Sequence, residues 1–180
     1  NYLGVPDQLK MNWVFEQLKP ILENPNIKKV GQNIKYDYIV LKNEGINLEG
    51  IFFDTMLASY LLNPSSRGHN IDALALEYLG LATIQYKDVV GTASKEIGFD
   101  EVEIERATEY AAEDADITWR LYENLSDALK GDDLNIFEKI ELPLLEVLGE
   151  MELKGVALDK PHLQKLSQNI HLLLCEREKQ

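Results

Sequence analysis

The stretch Asn26-Ile27-Lys28-Lys29-Val30-Gly31-Gln32-Asn33, together with the residues that follow it, decides the fold class. Ile27 to Gln32 suits a short strand. Asn33 is placed to cap a helix running from Ile34 to about Glu44, and Gly45 is its stop signal. A strand followed at once by a helix is the α/β signature. The pattern recurs downstream. Ile51-Phe52-Phe53 is a second short apolar run, Asp54 or Thr55 can cap a helix over Met56 to Leu62, and Asn63-Pro64 breaks it. Upstream, Asp7 to Glu23 reads as a helix whose last turns Pro20 is expected to distort or shorten.

Beyond this unit, Ser65 to Asn70 reads as a loop, Ile71 to Leu79 as an amphipathic helix closed by Gly80, and Lys87 to Asp100 as irregular chain. Val102 to Leu125 has the pattern of a long helix. Lys130-Gly-Asp-Asp133 interrupts that pattern and marks a boundary, dividing the sequence into residues 1–133 and 134–180. Leu134 to Leu153 is helical, with Pro143 kinking it or marking a new start, and Gly155 to Asp159 is an extended link. Lys160 to Lys179 closes the sequence as a helix with Leu163, Leu166, Ile170, Leu173 and Leu174 on one side. That side is expected to pack on sequence outside this chain.

A chain of 180 residues with 45% hydrophobic content suits one ordinary domain, or one domain with part of another. No run approaches the ~20 apolar residues of a membrane span, and the first residues lack the basic start and apolar stretch of a signal peptide. The single cysteine, Cys175, excludes an internal disulfide framework and a cysteine-based zinc site. Together these favour the cytoplasm and no membrane partner. The net charge of -13 argues against a protein that holds nucleic acid by neutralising phosphates alone. It leaves open an enzyme that meets phosphates through divalent cations, since clustered carboxylates recruit them.

Winding Val102 to Leu125 at about 100° per residue puts Ile104, Ala107, Ala111, Ala115, Thr118, Tyr122 and Leu125 in an arc of roughly 80°. Asp114 lies about 20° outside that arc and Tyr110 about 40° further round, while Glu109, Glu113 and Asp116 fall on the opposite, solvated side. A carboxylate at the edge of an apolar face needs hydrogen bonds, a cationic partner or a metal. Asp114 is therefore either paired with an Arg or Lys from another element or part of a site. Asp37, in the first turn of the helix that Asn33 opens, is stabilised by the helix dipole in any case. In an open α/β sheet, that helix begins at the strand edge where ligands collect.

Gly31-Gln-Asn-Ile-Lys-Tyr-Asp37 and Tyr110-Ala-Ala-Glu-Asp114-Ala-Asp resemble the second and third motifs of the 3′-5′ proofreading exonuclease domain of bacterial DNA polymerase I. That family belongs to the DEDDy group of the ribonuclease-H-like superfamily. Phe53-Asp-Thr-Met-Leu-Ala-Ser-Tyr60 and His69-Asn-Ile-Asp-Ala-Leu74 resemble the segments between those motifs. Ile140-Glu-Leu-Pro-Leu-Leu145 and Gly155-Val-Ala-Leu-Asp159 resemble the passage into the polymerase domain.

The resemblance implies a two-metal phosphodiesterase using Mg²⁺ or Mn²⁺, acting on the single-stranded 3′ end of DNA, with a family A polymerase domain following in the same chain. Carried over, Asp114 is a direct metal ligand, Asp37 holds the second metal, and Tyr110 orients the attacking water. Asn33 and Tyr36 support the strand end or contact DNA, and His69 contacts DNA or is structural. Asp54 and Asp72 read as helix caps. The implied location is the bacterial cytoplasm, at the nucleoid. The family's first motif, Asp-x-Glu on the opening strand, has no counterpart here, and Asp116 cannot stand in because i and i+2 face apart on a helix. The expectation is an α/β, ribonuclease-H-like fold truncated at its N-terminus, lacking its opening strands, inactive alone, and followed by helices leading into a polymerase domain. The rivals are a silent exonuclease-like scaffold, a ribonuclease D-type enzyme and an acidic helical interaction protein without chemistry.

Overall fold

Two short strands lie side by side and parallel because a helix crosses between them. The computed structural model describes residues 4–92 and 96–178. Strand β1 (Lys29–Gly31) is followed by α2 (Ile34–Asn43) and then by β2 (Ile51–Asp54), with Val30 opposite Phe53 and Gly31 opposite Asp54. This β-α-β unit is the arrangement that parallel pairing requires. A helix α1 (Met11–Leu22) precedes it and runs through Pro20, so the expected shortening does not occur. Only the last two residues follow the proline.

After β2 come α3 (Thr55–Leu62) and α4 (Ile71–Leu74), which widens into one π turn over Ala75–Leu79. Gly45 and Gly80 end α2 and the α4 segment with φ of 75° and 68°, a conformation that glycine adopts without steric cost. The segment read as irregular contains a short helix, α5 (Tyr86–Val90), and a 3₁₀ turn at Phe99–Glu101, while its residues 93–95 lie outside the described residues. The long α6 spans Ile104–Ala128. Then α7 (Gly131–Ile136) passes through a π turn (Phe137–Glu141) into α8 (Leu142–Lys154), where Pro143 occupies the first turn. The chain stays helical from Gly131 to Lys154, so the proline does not mark a new start, and the irregularity beside it is the π turn. The last helix, α9 (Lys160–Glu178), buries none of its residues, and its expected end at Lys179 lies outside the described residues.

Phe53, Leu74, Ile117, Leu121, Leu125 and Phe137 form the main core. The Phe53 ring is 5.1 Å from Tyr122 and 4.9 Å from Phe137, contacts that seat α6 and the α7–α8 junction on β2. A second cluster joins Ile34 and Tyr38 of α2 to Leu48 and Leu145 of α8. Residues on both sides of Lys130 therefore share the hydrophobic interior.

One helix rotation differs from the wheel. Ile117, Leu121 and Leu125 are buried, whereas Ala111 and Ala115 are exposed. Alanine has little surface to hide, so the larger aliphatic side chains decide which way α6 turns. The rotation moves Tyr110 and Asp114 from the edge of the buried face towards its middle.

Candidate active site

The β1–α2 junction positions the first carboxylate. Asn33 takes a left-handed conformation (φ 56°) and its side chain makes no capping bond, contrary to expectation. Asp54 does the capping instead, from the end of β2. Its Oδ2 accepts the Ile34 N–H at 2.7 Å and its Oδ1 accepts those of Asn33, Met56 and Leu57 at 3.3, 2.8 and 3.1 Å. A side-chain N-cap typically needs an extended backbone, which Asn33 lacks, so the free N–H groups of that turn are met by the neighbouring Asp54 carboxylate.

Asp37, one turn into α2, and Asp114, midway along α6, line the same open groove of about 610 Å³. The groove runs along the edge of β1 that β2 does not cover, past Val30, Gly31, Ala115, Thr118 and Trp119. Burial raises the Asp114 carboxyl above its ordinary value, and the charges of Asp72 and Glu113 raise it further, against a lowering hydrogen bond from Tyr110. The Asp37 carboxyl is likewise raised, first by desolvation and then by the charge of Asp54, although the residue as a whole is exposed. Among the described residues, neither carboxylate forms an ion pair with Lys or Arg. The ion-pair alternative for Asp114 thus has no counterpart among the described residues.

The Tyr110 hydroxyl is close enough to Asp114 to be shifted by it, and its ring lies edge-on to Tyr86 and Phe99, with centroids 6.2 and 6.1 Å away. Burial, followed by the charge and hydrogen bond of Asp114, pushes the phenol up to about 12. It is protonated at any physiological pH. Among the described residues no group of three or more His, Cys, Asp or Glu side chains is gathered to hold a metal.

The other candidates sit elsewhere. Asn33 lines a separate pocket with Asp54, Leu57 and Leu145, and Tyr36 is 67% exposed. His69 Nδ1 is 2.6 Å from the buried Ser59 Oγ, and its carbonyl accepts from Gln32 Nε2 at 2.7 Å. None of the three is among the groove-lining residues. Asp72 does not cap α4, because Asn70 accepts the Ala73 N–H in that role, and Asp72 instead accepts from the Thr83 hydroxyl. Glu113 is not solvated: it accepts the Ile84 N–H at 2.6 Å and ties the segment before α5 to α6.

A family model described as 3′-5′ exonuclease matches residues 1–130. The chain belongs to that family. It is 44% identical over 163 residues to a DNA polymerase I of Pseudomonas aeruginosa, covering 88% of this chain and 18% of that protein. A DNA polymerase I of Rhizobium leguminosarum is also 44% identical, over 91% of this chain and 16% of that one. Among solved structures, the chain resembles the "POL domain of Pol1 from M. smegmatis complex with DNA primer-template and dNTP". The TM-score is 0.61 at 27% identity, with 90% of this chain and 25% of that one covered. The chain thus spans less than a fifth of the curated relatives it matches, 18% and 16% of these two.

Within this exonuclease-family chain, four contributors to the site were not read as such from the sequence. Asp72 and Glu113 surround Asp114 with negative charge, and Tyr86 and Phe99 enclose the Tyr110 ring. Tyr86 precedes Tyr110 by more than six helical turns of sequence, and no local pattern links them. Glu113 carried a usable signal. It adjoins Asp114 on α6, and once Ile117 and Leu121 set the rotation it falls at the half-buried margin.

Proposed function

We propose that the chain is the proofreading region of a DNA polymerase I, hydrolysing mismatched 3′ nucleotides from the single-stranded end of DNA. The observation that carries this reading is the pair Asp37 and Asp114, which share one groove without a Lys or Arg partner among the described residues. Lys29 also lines the groove, but its ammonium is turned to the Asn24 carbonyl at 2.7 Å, so the two carboxylates face the groove without a paired cation, a donor set suited to Mg²⁺ or Mn²⁺. When bound, such ions lower the pKa of water and neutralise charge at the scissile phosphate. Asp114 and Asp37 would hold them, and the protonated Tyr110 phenol, one helical turn away, would orient the attacking water. Tyr86 and Phe99 shield that phenol from bulk solvent. Tyr36, exposed beside Asp37, contacts the DNA strand, and Asn33 and His69 support the β1–α2 turn.

The fold of the whole region is ribonuclease-H-like, with further strands outside this sequence continuing the sheet from the free edge of β1. The open groove there, faced by Ala115, Thr118 and Trp119, supports this reading. Residues 1–133 are the exonuclease part and 134–180 begin the polymerase part, consistent with a family match ending at residue 130. Exposed Val147, Met151, Leu166 and Ile170 on α8 and α9 suit a surface that meets the polymerase domain. The site of action is the bacterial cytoplasm, at the nucleoid. Among the described residues, no helix is long and apolar enough to cross a membrane.

The test is degradation of end-labelled single-stranded DNA by the full protein with Mg²⁺ or Mn²⁺. Asp37→Ala and Asp114→Ala should each lower the rate by more than about 100-fold. The 180 residues alone should be inactive. Unchanged rates in both variants would show that the groove is not the catalytic centre.

A further inference from the structure

Asp54 is 1% exposed, and its two oxygens serve two helices that start from adjacent strands. Toward α3 it acts as an ordinary N-cap, accepting from Met56 and Leu57. Toward α2 it reaches across the parallel register, from opposite Gly31, and takes the Asn33 and Ile34 N–H groups of a helix whose own flanking residue makes no side-chain cap. Asp37 lies on the first turn that these bonds hold in place. The same turn is fixed from below. Gln32 joins the Thr55 hydroxyl through its amide oxygen and the His69 carbonyl through its amide nitrogen, and Thr55 is fully buried.

We propose that Asp54 is a positioning residue for Asp37, fixing the rotation and height of the first turn of α2 so that the Asp37 carboxylate is held towards Asp114 across the groove. This rests on the reading of Asp37 as a metal ligand. Asp54 itself touches neither metal nor substrate, being spent on four backbone donors. Its effect is that of a residue one step behind a ligand, whose loss typically weakens metal binding by about 10- to 100-fold.

The two oxygens carry unequal loads, and this makes the role separable from general stability. In Asp54→Asn the amide keeps a single acceptor oxygen. Turned towards Asn33, Met56 and Leu57, it satisfies three donors and leaves Ile34 N–H facing an NH₂ group. The cap of α3 survives and that of α2 is weakened.

The experiment compares wild type, Asp54→Asn and Asp37→Asn in the full protein by Mn²⁺ titration, amide hydrogen exchange and exonuclease rate against Mg²⁺ concentration. In Asp54→Asn the Ile34 amide should lose protection while Met56 and Leu57 keep theirs, and Mn²⁺ binding should weaken about tenfold. The rate should fall at low Mg²⁺ and recover at saturating Mg²⁺, which a merely unstable variant would not do. Should Asp54→Asn not fold, Asp54→Ser retains an N-cap for α3 and cannot span to Ile34, and the same pattern is expected of it. A Mn²⁺ titration of the folded variant that overlays the wild type, with Asp37→Asn weakened, overturns the role of Asp54 alone. If Asp37→Asn also overlays the wild type, the inference falls together with the metal-site reading.

Discussion

Replacing Gly149 by alanine should destabilise the protein, although alanine is the better helix former. Gly149 lies in α8, and a Cβ there would stand 2.8 Å from Tyr38 Cδ1 and 3.0 Å from Cε1. The Tyr38 ring has no room to retreat. It is 7% exposed, packs with Ile34, Leu48 and Leu145, and is pinned at its hydroxyl by Glu150 at 2.6 Å, which Lys42 also contacts at 3.1 Å. Glycine to alanine in a helix gains about 0.5–1 kcal/mol, and forcing a methyl into a packed contact costs about 1–3 kcal/mol. The net expectation is a loss of about 1 kcal/mol, or about half a molar in urea midpoint at a slope of about 2 kcal/mol/M. In a Tyr38→Leu background the clash is relieved, so the same Gly149→Ala change should become neutral or stabilising. Equilibrium urea unfolding of the four proteins measures the coupling between the two positions. A stabilising Gly149→Ala in the wild-type background would refute the close contact between α8 and α2.

Asp114→Asn should make the metal-free protein more stable at neutral pH. The Asp114 carboxyl is raised above its ordinary 3.8, so its folded state favours the proton, and the stability it contributes is present below that value and lost as pH rises through the raised one. The advantage of the non-titrating amide, read by denaturation in a chelating buffer, should therefore shrink as pH falls from 7 towards 4, and a pH-independent difference would count against it. Tyr110 should ionise near about 12 in a tyrosinate absorbance titration referenced to Tyr110→Phe, and Asp114→Asn should bring it down. Ionisation at the ordinary 10.0 would place the phenol in open solvent.

The β-α-β unit was legible because its signals are local: a short apolar run, an abrupt polar turn and a glycine stop lie within 17 residues, from Lys29 to Gly45. Capping of α3 by Asp54 was legible for the same reason. Its second role was not, since the Ile34 N–H is 20 residues away and the two meet only when β1 and β2 align. Asn33 misled because cap preference assumes an extended backbone, and here the residue is left-handed. The rotation of α6 was missed because the arc was drawn through Ala107, Ala111 and Ala115 and left out the far larger Ile117 and Leu121. Asp37 and Asp114 could be named from motif spacing. That they share a groove, and that Glu113 and Asp72 stand behind one of them, depends on how α6 crosses the sheet.

On the proposed function, the charge distribution would couple metal binding to substrate binding. Among the described residues, ion pairs are made by Lys19 on α1, by Lys35 and Lys42 between α2 and α8, and by Arg120 with Asp116 on α6. None of these pairs involves a groove carboxylate. With 31 acidic against 18 basic residues, the surface offers a DNA backbone little general attraction, and the groove carries Asp37 and Asp114 against the single cation Lys29, which is engaged by the Asn24 carbonyl. A phosphate approaching the bare groove meets two like charges at close range, where a partly desolvated setting strengthens repulsion. Divalent cations reverse that sign at the one place where the chemistry is proposed to occur. On the proposed function, the acidic composition that argues against a DNA-binding module would confine a strand end to the groove once divalent cations occupy it.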